Sequence, residues 1–173
     1  SRQASCNYGV GKDGRISLCV EEKNRSWCSS SNANDQRAVT IECASDMSEP
    51  YAMNSAVYNS LVKLCTDICK RNGKKKLLWF ADKNKTLNYA PKSDEMVLTV
   101  HRWFANKSCP GNWLYSRLGD LATKVTSEFS KTTSSDDIAS TTQMYRVRKI
   151  WSDSKSQLGA YKAVSYTHLR AHE

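Results

Sequence analysis

The sequence has no apolar run near the roughly eighteen residues that a membrane-spanning helix needs, and its mean hydropathy is -0.63. Its first residues, SRQASCNYGV, lack both an initiating Met and the apolar stretch of a secretion signal. We therefore expect no membrane insertion, no signal peptide in this segment, and a chain that begins inside a longer protein.

Histidine is also scarce, since the chain has three and His101 is the only one before residue 168. The seven cysteines are an odd number with irregular spacing. Without a secretion signal, this pattern indicates free thiols in a reducing compartment and no disulfide framework. Cys65 and Cys69 stand four residues apart, and we expect them to pack in the core because no third ligand lies nearby in sequence.

Acidic residues are outnumbered by basic ones, 17 against 26, which gives a net charge of +9. Such an excess indicates an anionic partner: a nucleic acid, an acidic membrane surface or an anionic cell-wall polymer. Charge alone does not choose among them. The sequence has no zinc-finger spacing and no RNA-recognition signature, which makes a nucleic-acid partner less favoured.

Strand and helix signals alternate over the first three quarters of the chain. GRISLCV and RAVTIEC are short β-branched runs that predict strands, and KDG before the first has hairpin-turn chemistry. Two helices follow from apolar residues three and four apart: Met53, Val57, Leu61, Leu64 and Ile68, then Leu114, Leu118, Leu121, Val125 and Phe129. Ser48 and Pro50 suit the start of the first helix and Gly73 its end. We predict an α/β fold with a central mixed β-sheet flanked by helices.

Composition divides the chain into four parts. Residues 1–129 form the predicted folded body, and 130–144 are a Ser- and Thr-rich linker. Residues 145–163 regain alternating apolar and basic residues, as at the start of a second small module. Residues 164–173 fit neither neighbour and are interpreted as a non-native tail, so its two histidines are given no functional role.

The stretch TVHRWFANKSCPG combines His101 with Cys109, eight residues later. Neutral imidazole and thiolate both bind Zn²⁺, and a catalytic zinc takes three protein ligands and one water. The alternative is a surface histidine and an unrelated buried cysteine. Pro110 and the glycine after it stiffen the turn that carries the thiol, and Lys107 is placed to stabilise a developing oxyanion.

These residues resemble the type 2 N-acetylmuramoyl-L-alanine amidases, zinc amidases that share a fold with peptidoglycan recognition proteins. HRWFANKSCPG is similar to the family's C-terminal metal motif, in which His101 and Cys109 take the zinc-ligand places and Lys107 a catalytic place. NYGVGKDGRI resembles the family's strand-turn-strand element, with Tyr8 on a catalytic position. In the segment ending RAVTIEC, Glu42 matches the acidic residue near the metal.

The resemblance covers residues 1–129 and is strongest to endolysins of phages that infect Gram-positive bacteria. It implies zinc-dependent hydrolysis of the amide between N-acetylmuramic acid and L-alanine in peptidoglycan, by a monomer released from the host cytoplasm onto the wall. It also implies that residues 145–163 begin a cell-wall-binding repeat. The family's first zinc ligand is a histidine upstream of NYG, so we expect the domain to be truncated and its own activity to be in doubt.

Roles of the candidate site residues are expected as follows. Glu42 takes a proton from the attacking water or orients it, because an unpaired carboxylate on a buried strand is otherwise costly. Lys107 and Tyr8 donate to the oxyanion, although the Tyr8 ring also suits simple packing on the sheet. Trp27, Asn34 and Asp35 are candidate substrate contacts. Two other classes stay open: a peptidoglycan-binding module without catalysis, and a basic nucleic-acid-binding protein.

Overall fold

In the computed structural model, residues 4–131 are described in full and residues 165–170 as backbone. The strands are β1 Tyr8–Val10, β2 Ile16–Leu18, β3 Ala38–Cys43, β4 Lys76–Leu78, β5 Glu95–Val100 and β6 Ser165–Arg170. The helices are α1 Asn32–Asp35, α2 Ser55–Arg71, α3 Lys83–Asn88, α4 Gly111–Tyr115 and α5 Leu118–Lys131, with a 3-10 helix at His101–Trp103. The predicted linker and second module lie outside the described residues.

The strands form one six-stranded mixed sheet in the order β2-β1-β3-β6-β5-β4. β1 and β2 make an antiparallel hairpin, and the turn between them places Gly14 at φ 81, a conformation that glycine adopts without strain. β1 runs parallel to β3, and β4 runs parallel to β5. β6 lies antiparallel to both β3 and β5. The predicted α/β fold with a central mixed sheet is confirmed.

One face of the sheet carries the hydrophobic core. Apolar side chains of α2 and α5 pack against this face and complete the core. The strand residues that point to it include Tyr8, Val10, Ile41, Cys43, Met96, Leu98 and Val100. Cys65 and Cys69 of α2 are fully buried in the same cluster, which confirms the prediction that they pack in the core. Burial of this apolar face is the main force that fixes the sheet against its helices.

The opposite face of the sheet is polar. Because side chains alternate along a strand, Thr40 and Glu42 of β3 and Thr99 of β5 project away from the core. His101 continues the same alternation one residue beyond β5. The segment between β2 and β3 covers this face, where Ser26 lies 2.6 Å from Thr40, oxygen to oxygen.

The two predicted helices are confirmed, with shifted boundaries. α2 begins after Asn54, whose side chain accepts from the Val57 N–H, so Asn54 replaces the expected Ser48 start. Gly73 follows its end at φ 66, as expected of a C-terminal glycine. The second predicted helix is divided into α4 and α5 at Ser116, whose N–H donates to Asn112. No helix among the described residues is long and apolar enough to cross a membrane.

The C-terminal segment was expected to lie outside the folded body, yet the structure places Ser165–Arg170 in the middle of the sheet. Thr167 pairs with Ile41 on one side and with Val100 on the other. Without β6, the facing edges of β3 and β5 would both expose unpaired backbone groups. The sequence SYTHLR supplies aromatic and β-branched residues that favour a strand.

Candidate functional site on the polar face of the sheet

His101 is held at the end of β5, where the chain turns into the 3-10 helix. Its side chain is buried, with a residual exposure of 5%, and Nε2 lies 2.9 Å from the Ser30 hydroxyl. Burial lowers the pKa of the imidazole below its ordinary value, and the positive charge of Lys107 lowers it further against an opposing effect of Asp35. His101 is therefore neutral at pH 7, the form that accepts a proton or a metal ion.

The loop after His101 folds back and carries Cys109 beside it. The Arg102 N–H donates to the Cys109 carbonyl at 3.0 Å, and the Arg102 guanidinium donates to the Ser108 carbonyl. Cys109 is buried, whereas Lys107 is exposed but close enough for its charge to act on His101. The structure thus brings together His101, Lys107 and Cys109 on one short loop.

Glu42 in β3 and His101 just after β5 lie at the same height along the sheet, measured along the strand direction. Thr167 of β6 pairs with Ile41 on one side and with Val100 on the other. Glu42 directly follows Ile41, and His101 directly follows Val100. With β6 between them, their backbones are two strand spacings apart, about 10 Å, and both project from the polar face.

Cys28 is a neighbour that the sequence analysis did not single out. Burial raises the pKa of its thiol, and the negative charge of Glu42 raises it further, so Cys28 stays protonated at neutral pH. Asp35 and Cys109 also raise this pKa, which places Cys28 between the β3 and His101 sides of the site. Its only sequence signal was its position in the polar run SWCSSSN that precedes β3.

Asn34 and Asp35, expected to contact substrate, are buried and hold the loop in place. The Asp35 carboxylate accepts from the backbone N–H groups of Cys28 at 3.1 Å and Ser29 at 3.0 Å. The Asn34 side-chain oxygen accepts from the Thr99 hydroxyl at 3.0 Å. These bonds fix the loop that carries Ser30 against the end of β5, so the observed contacts of both residues are structural.

Trp27 differs in exposure from two other tryptophans, Trp103 and Trp113. It is 58% exposed, and the Arg25 guanidinium stacks on its ring at 3.9 Å from the centroid. Trp103 stacks on Trp79, and Trp113 packs edge-on against Tyr58. Of the three, Trp27 presents the largest free aromatic surface, so its substrate role stays a prediction that the exposure favours.

The structure does not bring Tyr8 to this group. Tyr8 pairs with Ile41, so its side chain lies on the core face, whereas Glu42 is one residue further and lies on the other face. Its hydroxyl donates to Glu22 at 2.7 Å and accepts from Arg71 at 3.3 Å. Strand alternation therefore separates Tyr8 from the residues with which the sequence analysis grouped it.

A cavity of about 460 Å³ opens beside His101. Its lining residues come from α1 and the residues that flank it, from α3 and from the end of the 3-10 helix: Ser30, Ser31, Ala33, Asn34, Arg37, Lys83, Leu87 and Phe104. Ser30 belongs both to this lining and to the hydrogen bond with His101. The cavity therefore adjoins the candidate site.

The donor set for a metal ion is incomplete within residues 4–131. No three His, Cys, Asp or Glu side chains in this range are grouped closely enough to hold a metal ion. A catalytic zinc centre takes three protein ligands. His101 and Cys109 supply two candidate donors of the right chemistry, and alone they do not fit such a centre.

A family model described as N-acetylmuramoyl-L-alanine amidase matches residues 1–112, which include β1 to β5, His101, Lys107 and Cys109. Neither curated proteins nor solved structures gave a significant match to the chain. The family match spans well over half of the sequence and every element of the polar face except β6. The chain belongs to the N-acetylmuramoyl-L-alanine amidase family.

Proposed function

We propose that this protein hydrolyses the amide bond between N-acetylmuramic acid and L-alanine in peptidoglycan, with the polar face of the sheet as its active site. The observation that carries the proposal is the common level of Glu42 and His101 on that face, in a chain of the amidase family. Trp27 is exposed on the segment that leads to β3, and its ring offers a surface suited to a sugar face.

Amide hydrolysis requires removal of a proton from water, stabilisation of the tetrahedral oxyanion and return of a proton to the leaving nitrogen. We assign the proton transfers to the Glu42 carboxylate, because it is half-buried on the polar face. Lys107 supplies positive charge to the oxyanion, and its influence on His101 supports a position near the reacting carbonyl. Tyr8 has no part in this assignment, since its hydroxyl faces Glu22 and Arg71.

Members of this family typically depend on zinc, which polarises a carbonyl and lowers the pKa of a bound water. We propose the same dependence here, with His101 and Cys109 as two ligands. Because residues 4–131 do not supply a group of three, a further ligand has to come from outside that range.

An endolysin role is the finer form of the proposal: lysis of a Gram-positive wall by phage-encoded enzyme, acting as a monomer. The net charge of +9 favours attraction to anionic wall polymers. The second candidate function is a peptidoglycan-binding module without catalysis, and the incomplete donor set favours it. Binding of the wall is common to both candidates, so cleavage separates them.

The test is to incubate the purified chain with Zn²⁺ and Gram-positive cell walls, then to label newly formed N-terminal alanine with a dinitrophenyl reagent. We expect N-terminal alanine to appear, and Glu42→Gln to lower its rate of formation about 100-fold or more. Glu128→Gln, an exposed change on α5, is the matched control and should leave the rate unchanged. Wall binding without any alanine release would make the protein a binding module instead.

A further inference from the structure

The cavity beside His101 shares a wall with the candidate active site. Ser30 lines the cavity and lies 2.9 Å from His101 Nε2, oxygen to nitrogen. Phe104 lines the cavity as well, and its N–H donates to the His101 carbonyl at 2.9 Å. The cavity therefore adjoins the residues that surround His101.

Two cations, Arg37 and Lys83, line this cavity, and its lining within residues 4–131 includes no acidic residue. Neither cation forms an ion pair with a carboxylate of residues 4–131. Asp82 precedes Lys83, but its carboxylate caps α3 by accepting the Lys85 N–H at 2.6 Å. Two basic side chains directed at one cavity suit an anionic group from outside the protein.

The remaining walls indicate what accompanies the anion. Leu87 and Phe104 are half-buried and provide apolar surface. Asn34 is fixed by the Thr99 hydroxyl, so one wall is rigid and polar. A mixture of apolar, amide and cationic surface suits a short peptide carrying a carboxylate better than a bare polyphosphate chain.

We propose that Arg37 and Lys83 form a subsite for a free carboxylate on the stem peptide, and that this subsite selects peptides bearing a carboxylate over those bearing a carboxamide. The proposal rests on the proposed function, because it takes the ligand to be a muropeptide. Because the cavity adjoins the residues around His101, we take the carboxylate to belong to one of the first residues beyond the cleaved amide.

The experiment compares two synthetic ligands that differ at one group, N-acetylmuramoyl-L-alanyl-D-glutamate and its D-isoglutamine counterpart. Binding of each to the unaltered protein, Arg37→Gln, Lys83→Gln and Lys63→Gln is measured by calorimetry. We expect the unaltered protein to bind the glutamate form about tenfold more tightly, as for a charge-assisted hydrogen bond. Arg37→Gln and Lys83→Gln should each reduce this preference to about threefold or less.

Lys63→Gln is the matched control, because Lys63 is exposed on α2, which packs against the core face. It should retain the full preference, and circular dichroism confirms that each variant is folded. Equal binding of the two ligands by the unaltered protein overturns the subsite and leaves the proposed function standing, whereas binding of neither overturns both. If Arg37→Gln and Lys83→Gln weaken binding of poly(glycerol phosphate) but keep the carboxylate preference, the cations serve the wall polymer and the subsite is overturned.

Discussion

Side chains on the polar face fall into two groups according to what they bond. Asp35, Asn34 and Ser26 are buried, and their oxygens are engaged with backbone N–H groups or with threonines of the sheet. Trp27 and Lys107 are exposed at the same face. A buried donor or acceptor left unpaired costs about 1 to 3 kcal/mol, so the first group is needed for the shape of the loop. The second group is available to a ligand.

Tyr8 offers a direct test of that division. Burial, followed by the hydrogen bond to Glu22, raises the pKa of its hydroxyl to about 12, so it stays protonated and bonded. We expect Tyr8→Phe to lower the free energy of unfolding by about 1 kcal/mol, because Glu22 and Arg71 lose a partner, and to change the rate of alanine release less than twofold. Urea unfolding and the dinitrophenyl assay measure the two quantities.

The control for Tyr8→Phe is Tyr58→Phe, which removes a hydroxyl that donates to Asp120 at 2.7 Å between α2 and α5. Both variants should show the same pattern of reduced stability and retained rate. A tenfold loss of rate in Tyr8→Phe alone, with stability unchanged, would return Tyr8 to the oxyanion role.

Cys19 is the one exposed cysteine of the seven, and its environment makes it reactive. The neighbouring Cys6 thiol lowers the pKa of the Cys19 thiol below its ordinary value against the effect of burial, and Ser17 and Gly9 add to the lowering. Since the thiolate is the nucleophile, alkylation of Cys19 by iodoacetamide at pH 7 should be faster than that of the six buried cysteines. Mass spectrometry of the labelled peptides measures the rate at each cysteine.

Cys6→Ala removes the main thiolate donor and should slow labelling of Cys19 about tenfold or more at pH 7. Ser17→Ala removes a smaller contribution and serves as the comparison variant, with a smaller decrease. Preferential labelling of Cys65 or Cys69 at pH 7 would contradict the structure, because burial raises the pKa of both thiols.

Among the elements, β6 has the most influence on the sheet, because it lies between two strands that otherwise do not meet. β1 and β3 form one parallel pair and β4 and β5 another, and β6 joins the two pairs. Its backbone hydrogen bonds to β3 and β5 also fix the register of these two strands, and therefore the position of Glu42 relative to His101. The geometry of the site therefore depends on a strand that carries none of its assigned residues.

Thr167→Pro tests this dependence. Proline cannot donate the ladder hydrogen bond and its ring disrupts a central strand, so we expect a loss of about 3 kcal/mol in the free energy of unfolding. Thr167→Val is the control, since it keeps the backbone N–H and a β-branched side chain. Urea denaturation followed by circular dichroism measures both variants, and equal stability of the two would show that β6 does not occupy the centre of the sheet.

At the scale of the whole molecule, the sheet separates the hydrophobic core on one face from the candidate site residues on the other. Its core face is covered by α2 and α5 and holds the large apolar side chains. Its polar face is covered by loops, which carry binding and catalytic groups in many folds because they are free of packing constraints. The excess of basic residues would favour the anionic wall polymers of the proposed function, and Arg37 and Lys83 place two of those charges in the cavity beside His101.

The sequence by itself determined the elements whose pattern is local. Apolar spacing predicted α2 and α5, β-branched runs predicted β2 and β3, and the motif from His101 to Cys109 indicated the amidase family that the match over residues 1–112 confirms. Spacing succeeds here because burial of one face of a helix or strand requires periodic apolar residues.

Only the tertiary structure decided which face each candidate residue occupies and what it bonds. A shift of one position along a strand reverses the face of the sheet to which a side chain points. Tyr8 pairs with Ile41, the residue before Glu42, so Tyr8 and Glu42 lie on opposite faces although the family resemblance grouped them. The proximity of Cys28 to the candidate site, and the cavity lined by Arg37 and Lys83, result from contacts between segments far apart in sequence. The place of β6 was likewise decided by the open edges of β3 and β5, because strand pairing is a long-range interaction that local composition does not encode.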